Sequence, residues 1–371
     1  MLNLSFDTLS HCLDSMFLEY SKKFIESIAS IDLEKTRKEK PDYRCGYRSR
    51  CLYCSGRRLK FSLPRLRKTS IQFSFLKPFK RYLPQFEQDI YNMALNNCSS
   101  SEVVNILSGY VSKTKVLKVI DSIYEEISDF KISALPDDLA FLYLDGCYFK
   151  IRSKKVVVLT AVGIDISGTR KIIDFEVCPS ESFESWLKIL DRLYSRGLLG
   201  KNLKCICFDG NKGVQSAVDM VYPKILTQTC IFHVIRNIFF NSNIKMSKEF
   251  ATDVSYLFQV DSYNEYLYKK HLFGFKYSEI DLKTVKYLKK ITDKHFNFLE
   301  FPPELRHLIR TNNQIELYHN ILRKNLKHIK NFSSSKSLEK YLYLNIKNIS
   351  EKEYSLPIED IRALKKFLKI S

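Results

Sequence analysis

The sequence predicts an α/β protein in which a basic, mostly helical N-terminal region precedes a sheet-bearing domain split by a helical insertion. Three observations predict it. Lys and Arg concentrate before residue 82. Strand-like apolar runs begin only after Pro136-Asp137-Asp138. Residues 242–303 are aromatic-rich yet show no β alternation.

The chain has 371 residues, enough for two or three domains, and a formal charge of +19. Such an excess calls for a polyanionic partner, and nucleic acid fits better than a membrane surface. The longest apolar run, Val156 to Ile164, is about half a bilayer span and contains Thr160. Asp7 and Asp14 interrupt the first apolar pattern, which argues against a signal peptide. Ten scattered cysteines then read as reduced thiols in a cytosol.

Residues 1–33 predict an amphipathic helix with Leu4, Leu9, Leu13, Phe17 and Phe24 on its apolar side. The stretch Glu34 to Arg81 holds most of the positive excess. Within it Leu59, Phe61 and Leu63 alternate, as do Ile71, Phe73 and Phe75, which predicts a two-stranded unit broken at Pro64. From Gln85 the pattern turns helical. Ser99 and Ser112 are placed to cap helices on either side of Gly109. Residues 101–127 fit a helix-turn-helix or an ordinary helical hairpin.

Ala140 to Phe149, Lys155 to Ile164 and Arg170 to Cys178 predict three strands, the last two joined at Ser167-Gly168. A helix over Ser182 to Arg196, a strand at Leu203 to Phe208, a helix over Lys212 to Met220, a short strand near Leu226 to Thr229 and a helix from Phe232 follow. Three antiparallel-type strands and then alternating helix and strand is the RNase H-like plan. Helix resumes over Asn312 to Leu326, and the tail after Ile349 reads as charged and peripheral.

Asp145 ends the apolar run Phe141 to Leu144, and Asp209 ends Ile206 to Phe208; each precedes glycine. A turn residue and a helix cap are the plain readings. Two such pairs on adjacent strands would instead bring both carboxylates to one sheet edge. Glu316 lies on the polar stripe Asn312, Glu316, His319, Asn320 and Arg323, and a solvated glutamate is its plain reading. Carboxylate oxygens are the ligands that hard Mg²⁺ prefers, at about 2.0–2.1 Å. Two metals about 3.5–4 Å apart activate an attacking oxygen and stabilise a leaving one in phosphoryl transfer.

Cys230 and His233 sit at a strand-to-helix junction. Zinc needs two further ligands there, a Cys–His nucleophile needs an orienting partner, and local structure needs neither. Cys45, Cys51 and Cys54 leave a zinc knuckle open but lack a fourth ligand nearby. Arg44 to Arg48 and Phe79 to Tyr82 interleave basic and aromatic residues, as DNA contact would use.

Together these pieces resemble the Mutator-type DDE transposases of prokaryotic insertion sequences. The likeness runs from about Gly46 to Lys324. It rests on Gly46-Tyr47-Arg48, Pro64-Arg65-Leu66-Arg67, Asp145-Gly146, Glu184-Ser185-Trp186, Arg196-Gly197-Leu198, Asp209-Gly210, the run Gln228 to Asn237 and the run Arg310 to Glu316. Asn312 departs from the usual Thr, and Asn211-Lys212 stands where His is common. The resemblance implies an RNase H-like domain split before the glutamate, Mg²⁺ or Mn²⁺ as cofactor, and Asp145, Asp209 and Glu316 as catalytic metal ligands. It also brings Cys230 and His233 into the active-site environment, which Asn313 joins through the cluster Thr311 to Gln314, able to donate hydrogen bonds to a phosphate or support a metal ligand.

The resulting expectation is a transposase that binds terminal inverted repeats, cuts at the ends of its mobile DNA and joins them to target DNA. A structure-selective nuclease or resolvase and a domesticated, non-catalytic DNA-binding protein are the rivals. The expected organisation is a DNA-binding region over 1–135, a catalytic domain over 138–241 and 304–349, an insertion over 242–303 and a tail over 350–371. Arg48, Arg57, Arg58, Arg65, Arg67, Lys68, Lys80, Arg81, Lys113 and Lys115 are the expected DNA contacts. A homo-oligomer on double-stranded DNA, in a prokaryotic cytoplasm at the nucleoid, completes the expectation.

Overall fold

The computed structural model describes residues 6–54, 57–76, 84–95, 98–107, 111–243, 247–327, 329, 332–350 and 354–370. The chain divides into two compact units, Met1–Ile123 and Tyr124–Ser371.

The first unit starts with a long helix, Phe6–Glu39, followed by a hairpin of β1 (Arg44–Cys54) and β2 (Arg57–Leu66). On β2, exposed Arg58, Lys60 and Ser62 alternate with buried Leu59, Phe61 and Leu63. The buried set meets Ala29 of the long helix, and Glu26 accepts the Ser62 amide at 2.8 Å. The apolar stripe departs from the predicted one where side chains are described: Phe17 and Phe24 are exposed, and Leu18, Ile25 and Ala29 turn inward; the side chains of Leu4, Leu9 and Leu13 lie outside the described residues. The hairpin also differs from expectation. Pro64 lies within β2 opposite Tyr47, next to a register shift between Arg44 and Tyr47. In a two-stranded ribbon the missing proline amide costs no ladder bond if it faces outward. Residues 71–75 form no strand. Asp42 accepts the amides of Lys68 and Thr69, and Asp32 accepts that of Ser74, so carboxylates replace a sheet partner.

Three short helices follow, Pro84–Leu95, Ser100–Ile106 and Lys113–Asp121. Ser99 and Glu102 form a capping box, and Ser112 caps Lys113–Asp121 through the Lys115 amide. Gly109 lies outside the described residues. The helix predicted from Ser112 is two helices, because Ser122 ends one and Ile123–Ile132 forms the next.

The second unit is built on a mixed six-stranded sheet. Its strands are β3 (Leu139–Ile151), β4 (Lys154–Asp165), β5 (Thr169–Cys178), β6 (Cys205–Phe208), β7 (Leu226–Thr229) and β8 (Tyr354–Ser355). Their order is β7-β6-β3-β4-β5-β8. β3, β4 and β5 are antiparallel, while β6 runs parallel to β3 and β7 parallel to β6. On one face the Phe183–Ser195 helix buries Trp186, Ile189, Leu190 and Leu193 against Leu142 and Leu144. Below that helix Asp174 of β5 is fully buried and takes two bonds from Arg192, at 2.7 and 2.8 Å, and one from Arg196 at 3.3 Å. The opposite face carries the helices Pro303–Ile309 and Asn313–Leu326: Tyr143 donates to Leu308 and Tyr318 to Arg170.

Helical content over 242–303 follows the expectation, with helices at Lys248–Leu257, Tyr263–Tyr277 and Leu282–Leu288 and a 3-10 stretch at Asp293–Glu300. Its aromatics make a core of their own, with Tyr266 and Phe296 centroids 4.4 Å apart. The 3-10 stretch also edges β7, where Gln228 accepts the Phe298 amide at 2.8 Å. The tail is not peripheral. β8 pairs with β5, Leu364 of the helix Ile358–Leu368 is buried, and Phe367 meets Phe301 at 5.4 Å.

Candidate active site

Strand alternation aims Asp145. Leu142 and Leu144 enter the core under Trp186, whereas Phe141 meets Phe301 and Tyr143 reaches Leu308 on the other face. Asp145 continues that second set, and its Oδ2 lies 3.6 Å from His319 Nδ1. Asp145 does not end its strand, as the sequence suggested. It sits in mid-β3 opposite Thr160, just beyond the last pair with β6, Tyr143 with Cys207. The parallel register continued two residues from that pair leads to Asp209.

Asp209 leaves the end of β6 into a tight turn. Its Oδ1 accepts the Asn211 amide at 3.0 Å, and Asn211 caps the helix Lys212–Val221 through Gly213. Gly210 has φ +85°, and a Cβ there would lie 2.8 Å from Thr229 Cγ2 on β7. Only glycine combines that backbone with that approach.

Glu316 sits in the first turn of Asn313–Leu326, about one-third exposed, with His233 Nε2 3.9 Å from its Oε1. The turn before it is knitted to both neighbours. Asn312 donates its amide to Cys230 Sγ at 3.2 Å and its Nδ2 to the Leu144 carbonyl at 3.3 Å. Ile231 donates to the Arg310 carbonyl at 3.0 Å. Asn312 thus takes the inside position, fully buried beside β3. Asn313, the residue picked from sequence, is exposed and lines a neighbouring cavity instead.

The electrostatics are those of crowded acids. Burial, then the charge of Asp209, pushes Asp145 up to about 7, with Glu316 and Glu181 adding smaller effects. The Gly146 amide, donating to Asp145 Oδ1 at 2.8 Å, opposes this. Glu181 is a fourth acid that motif reading missed. Burial and then Asp209 raise its carboxyl, and Trp186 Nε1 donates to its Oε1 at 3.0 Å. A Cβ on Gly146 would lie 3.2 Å from Glu181 Oε2. The signal was slight: Glu181 stands three residues before the conspicuous Glu184, which the structure leaves exposed.

The imidazoles are neutral at physiological pH. Burial and then Arg236 lower His233, and burial and then Arg323 take His319 to about 3. His319 was visible only as part of a polar stripe. Burial raises the Cys230 thiol to about 11, against the pull of the His233, Asn312 and Phe232 amides. His233 Nδ1 has no hydrogen-bond partner and its Nε2 faces Glu316, so neither ring nitrogen is bonded to this thiol as a nucleophile pair would need. Cys230 serves as the acceptor that holds Asn312.

Among the described residues no three His, Cys, Asp or Glu side chains are grouped tightly enough to clasp a metal ion as they stand. The donor chemistry nevertheless fits a hard divalent cation. Asp145, Asp209 and Glu316 are oxygen donors whose mutual repulsion a cation would relieve.

Of the basic residues singled out from sequence, Arg48, Arg58, Arg65, Arg67, Lys68 and Lys113 are exposed. Lys115 is paired with Glu87. Lys80 and Arg81 lie outside the described residues, as do the side chains of Arg57 and Cys54. Cys45 is exposed and Cys51 half-buried on β1. Arg48, Arg50, Tyr53 and Arg58 border a groove of about 980 Å³ on the hairpin. A second cavity, of about 680 Å³, flanks Thr311 and Asn313. No helix among the described residues is long and apolar enough to cross a membrane.

A mixed sheet with acids gathered at one end, in a strongly basic chain, suits work on a polyanion. Residues 7–355 match the family described as "Transposase, Mutator family". The chain belongs to the Mutator family of transposases. It is 22% identical over 292 residues to a transposase for insertion sequence element IS1201 from Lactobacillus helveticus, covering 77% of this chain and 79% of that one. A probable transposase for an ISRM3-like insertion sequence element from Sinorhizobium fredii is 23% identical, covering 91% and 86%. A probable insertion-sequence transposase from Corynebacterium diphtheriae is 29% identical, covering 66% and 73%. A chain of a simian T-cell lymphotropic virus intasome aligns over 45% of this chain at 15% identity and a TM-score of 0.21, too low to inform the fold.

Proposed function

We propose that this chain is a DNA transposase that cuts phosphodiesters at the ends of its mobile DNA and joins the freed 3′-hydroxyl to target DNA. The observation that carries the reading is the gathering of Asp145, Asp209 and Glu316 from two strands and a distant helix, with Asp145 pushed up to about 7. The Tyr124–Ser371 unit is then an RNase H-like domain interrupted by the helices between 242 and 303. Support comes from a central β3 flanked by antiparallel β4 and parallel β6.

Asp145, Asp209 and Glu316 are the residues that would hold Mg²⁺ or Mn²⁺. When bound, the ions supply activation of the attacking oxygen and stabilisation of the leaving one. The chain's own part is placement. Asn312 locks the start of the Glu316 helix to β3 and to Cys230. The Asn211 amide orients Asp209. Neutral His319 and His233 fill the space beside Asp145 and Glu316 without adding charge. The Met1–Ile123 unit, with its basic hairpin, binds the terminal inverted repeats, and the protein works as a homo-oligomer on DNA.

The test is a reaction with Mg²⁺ on DNA carrying the repeats that flank the reading frame. Cleaved ends and joined products are expected. Cleavage without joining would favour the nuclease or resolvase reading, and end binding with neither would favour a domesticated DNA-binding protein.

A further inference from the structure

The cavity of about 680 Å³ beside Glu316 belongs to no step described so far. Its size falls within the roughly 300–1,000 Å³ usual for pockets that take small ring systems. The floor is apolar, made by Ile235, Val260 and Phe298. Phe232 stands on its wall half exposed, at 52%, so part of its ring is open to solvent. Asn313 supplies an exposed polar group, while His307, more than half in solvent, already has its Nε2 3.2 Å from Asp360 Oδ2.

Position gives this cavity its meaning. Phe232 neighbours His233 with ring centroids 6.0 Å apart, and His233 lies 3.9 Å from Glu316. Thr311 and Asn313 belong to the segment that leads into Glu316, and the Thr311 Oγ1 is buried without a hydrogen-bond partner. The cavity therefore opens within one or two side chains of the acids. Arg310 backs it, half-buried over the Phe298 ring at 5.6 Å, and keeps the wall electropositive. A ligand here needs a flat apolar face to stack on Phe232, a polar edge for Asn313, and a backbone running past the acid cluster.

We propose that this cavity receives a nucleobase turned out of the duplex next to the scissile phosphodiester, stacked on Phe232 and hydrogen-bonded at its edge by Asn313. The inference rests on the transposase reading and names what its active site does with the flanking nucleotide. Enzymes working on DNA overcome unstacking by offering an aromatic surface and edge contacts to the displaced base. Asn313, which plays no part among the acids, acquires a role as a reader of base edges.

The test uses the full chain and duplexes carrying the flanking repeats, with 2-aminopurine placed in turn at each nucleotide around the cleaved bond. One position should brighten several-fold when the protein binds, and the Phe232→Ala variant should lose that signal. Cleavage by Phe232→Ala should fall about 10-fold, as loss of one base–aromatic stack implies. An abasic nucleotide at the responsive position should restore it, because no base then has to be unstacked. Rescue of that kind would not follow from a misfolded variant. No brightening at any position while the wild-type protein cuts normally would overturn the pocket and leave the transposase reading intact. Phe232→Ala cutting at the wild-type rate would do the same. A wild-type protein that cuts no end at all would overturn both.

Discussion

The two compact units use charge in opposite ways. In the Met1–Ile123 unit the charges that stand out are positive, exposed and carried by a small two-stranded ribbon packed on one helix. In the Tyr124–Ser371 unit the charges that matter are negative, half-buried and held by a six-stranded sheet with apolar layers on both faces. The difference teaches where precision is needed. Phosphate neutralisation tolerates mobile side chains on a thin scaffold. Carboxylates that repel one another stay together only if a well-packed frame holds them.

The sharpest way to break that contrast is to weaken the frame. Asp174→Ala leaves buried Arg196 without its carboxylate partner and Arg192 with Glu176 alone. Loss of about 3–5 kcal/mol of stability is expected in chemical denaturation. A loss below about 1 kcal/mol would show that the frame does not depend on this triad.

Asp145→Asn should act in the other direction. The folded carboxyl sits at about 7 against 3.8 for the free group. A raised acid favours the folded state while protonated, so wild-type stability falls as pH rises from about 4 to 7 and stays low above. The strain amounts to at most about 4 kcal/mol. Without metal at about pH 8, Asp145→Asn should melt several degrees higher than wild type. Added Mg²⁺ should stabilise the wild type and not the variant. Identical pH profiles for the two proteins would contradict the crowding of acids.

Replacing Arg48, Arg65 and Arg67 with Ala should weaken repeat binding and flatten its salt dependence by roughly 0.9 for each phosphate no longer neutralised. Denaturation midpoints should barely move, since all three side chains are exposed. An unchanged salt slope would place DNA binding elsewhere. The smallest effect expected is at a helix start: Ser112→Ala removes the cap on the Lys115 amide and should cost about 1 kcal/mol.

Much of the second unit was legible in sequence because its strands are long and continuously apolar. β3, β4 and β5 lie within a few residues of where alternation and turn chemistry put them. The acids were legible as residue types beside glycine. Their setting was not, since Asp145 looked like a strand end and proved to be mid-strand, where only the shorter β6 stops. Register between strands is a tertiary property, and no local pattern encodes it. Glu181 and His319 escaped for the same reason: each reaches the site through burial, not through a motif. The first unit was harder to read. Ile71, Phe73 and Phe75 alternate like a strand, yet Asp32 and Asp42 satisfy the amides around them. The tail misled because its helix has charge on one side and Leu364 and Phe367 on the other.

The central claim is that the three acids perform the chemistry while binding resides elsewhere. The most direct measurement is cleavage of repeat-bearing DNA in Mg²⁺ by Asp145→Asn, Asp209→Asn and Glu316→Gln, with end binding measured on the same preparations. Each variant should bind the ends nearly as tightly as wild type and cut none of them detectably. Near-normal cleavage by any one of the three would contradict the account.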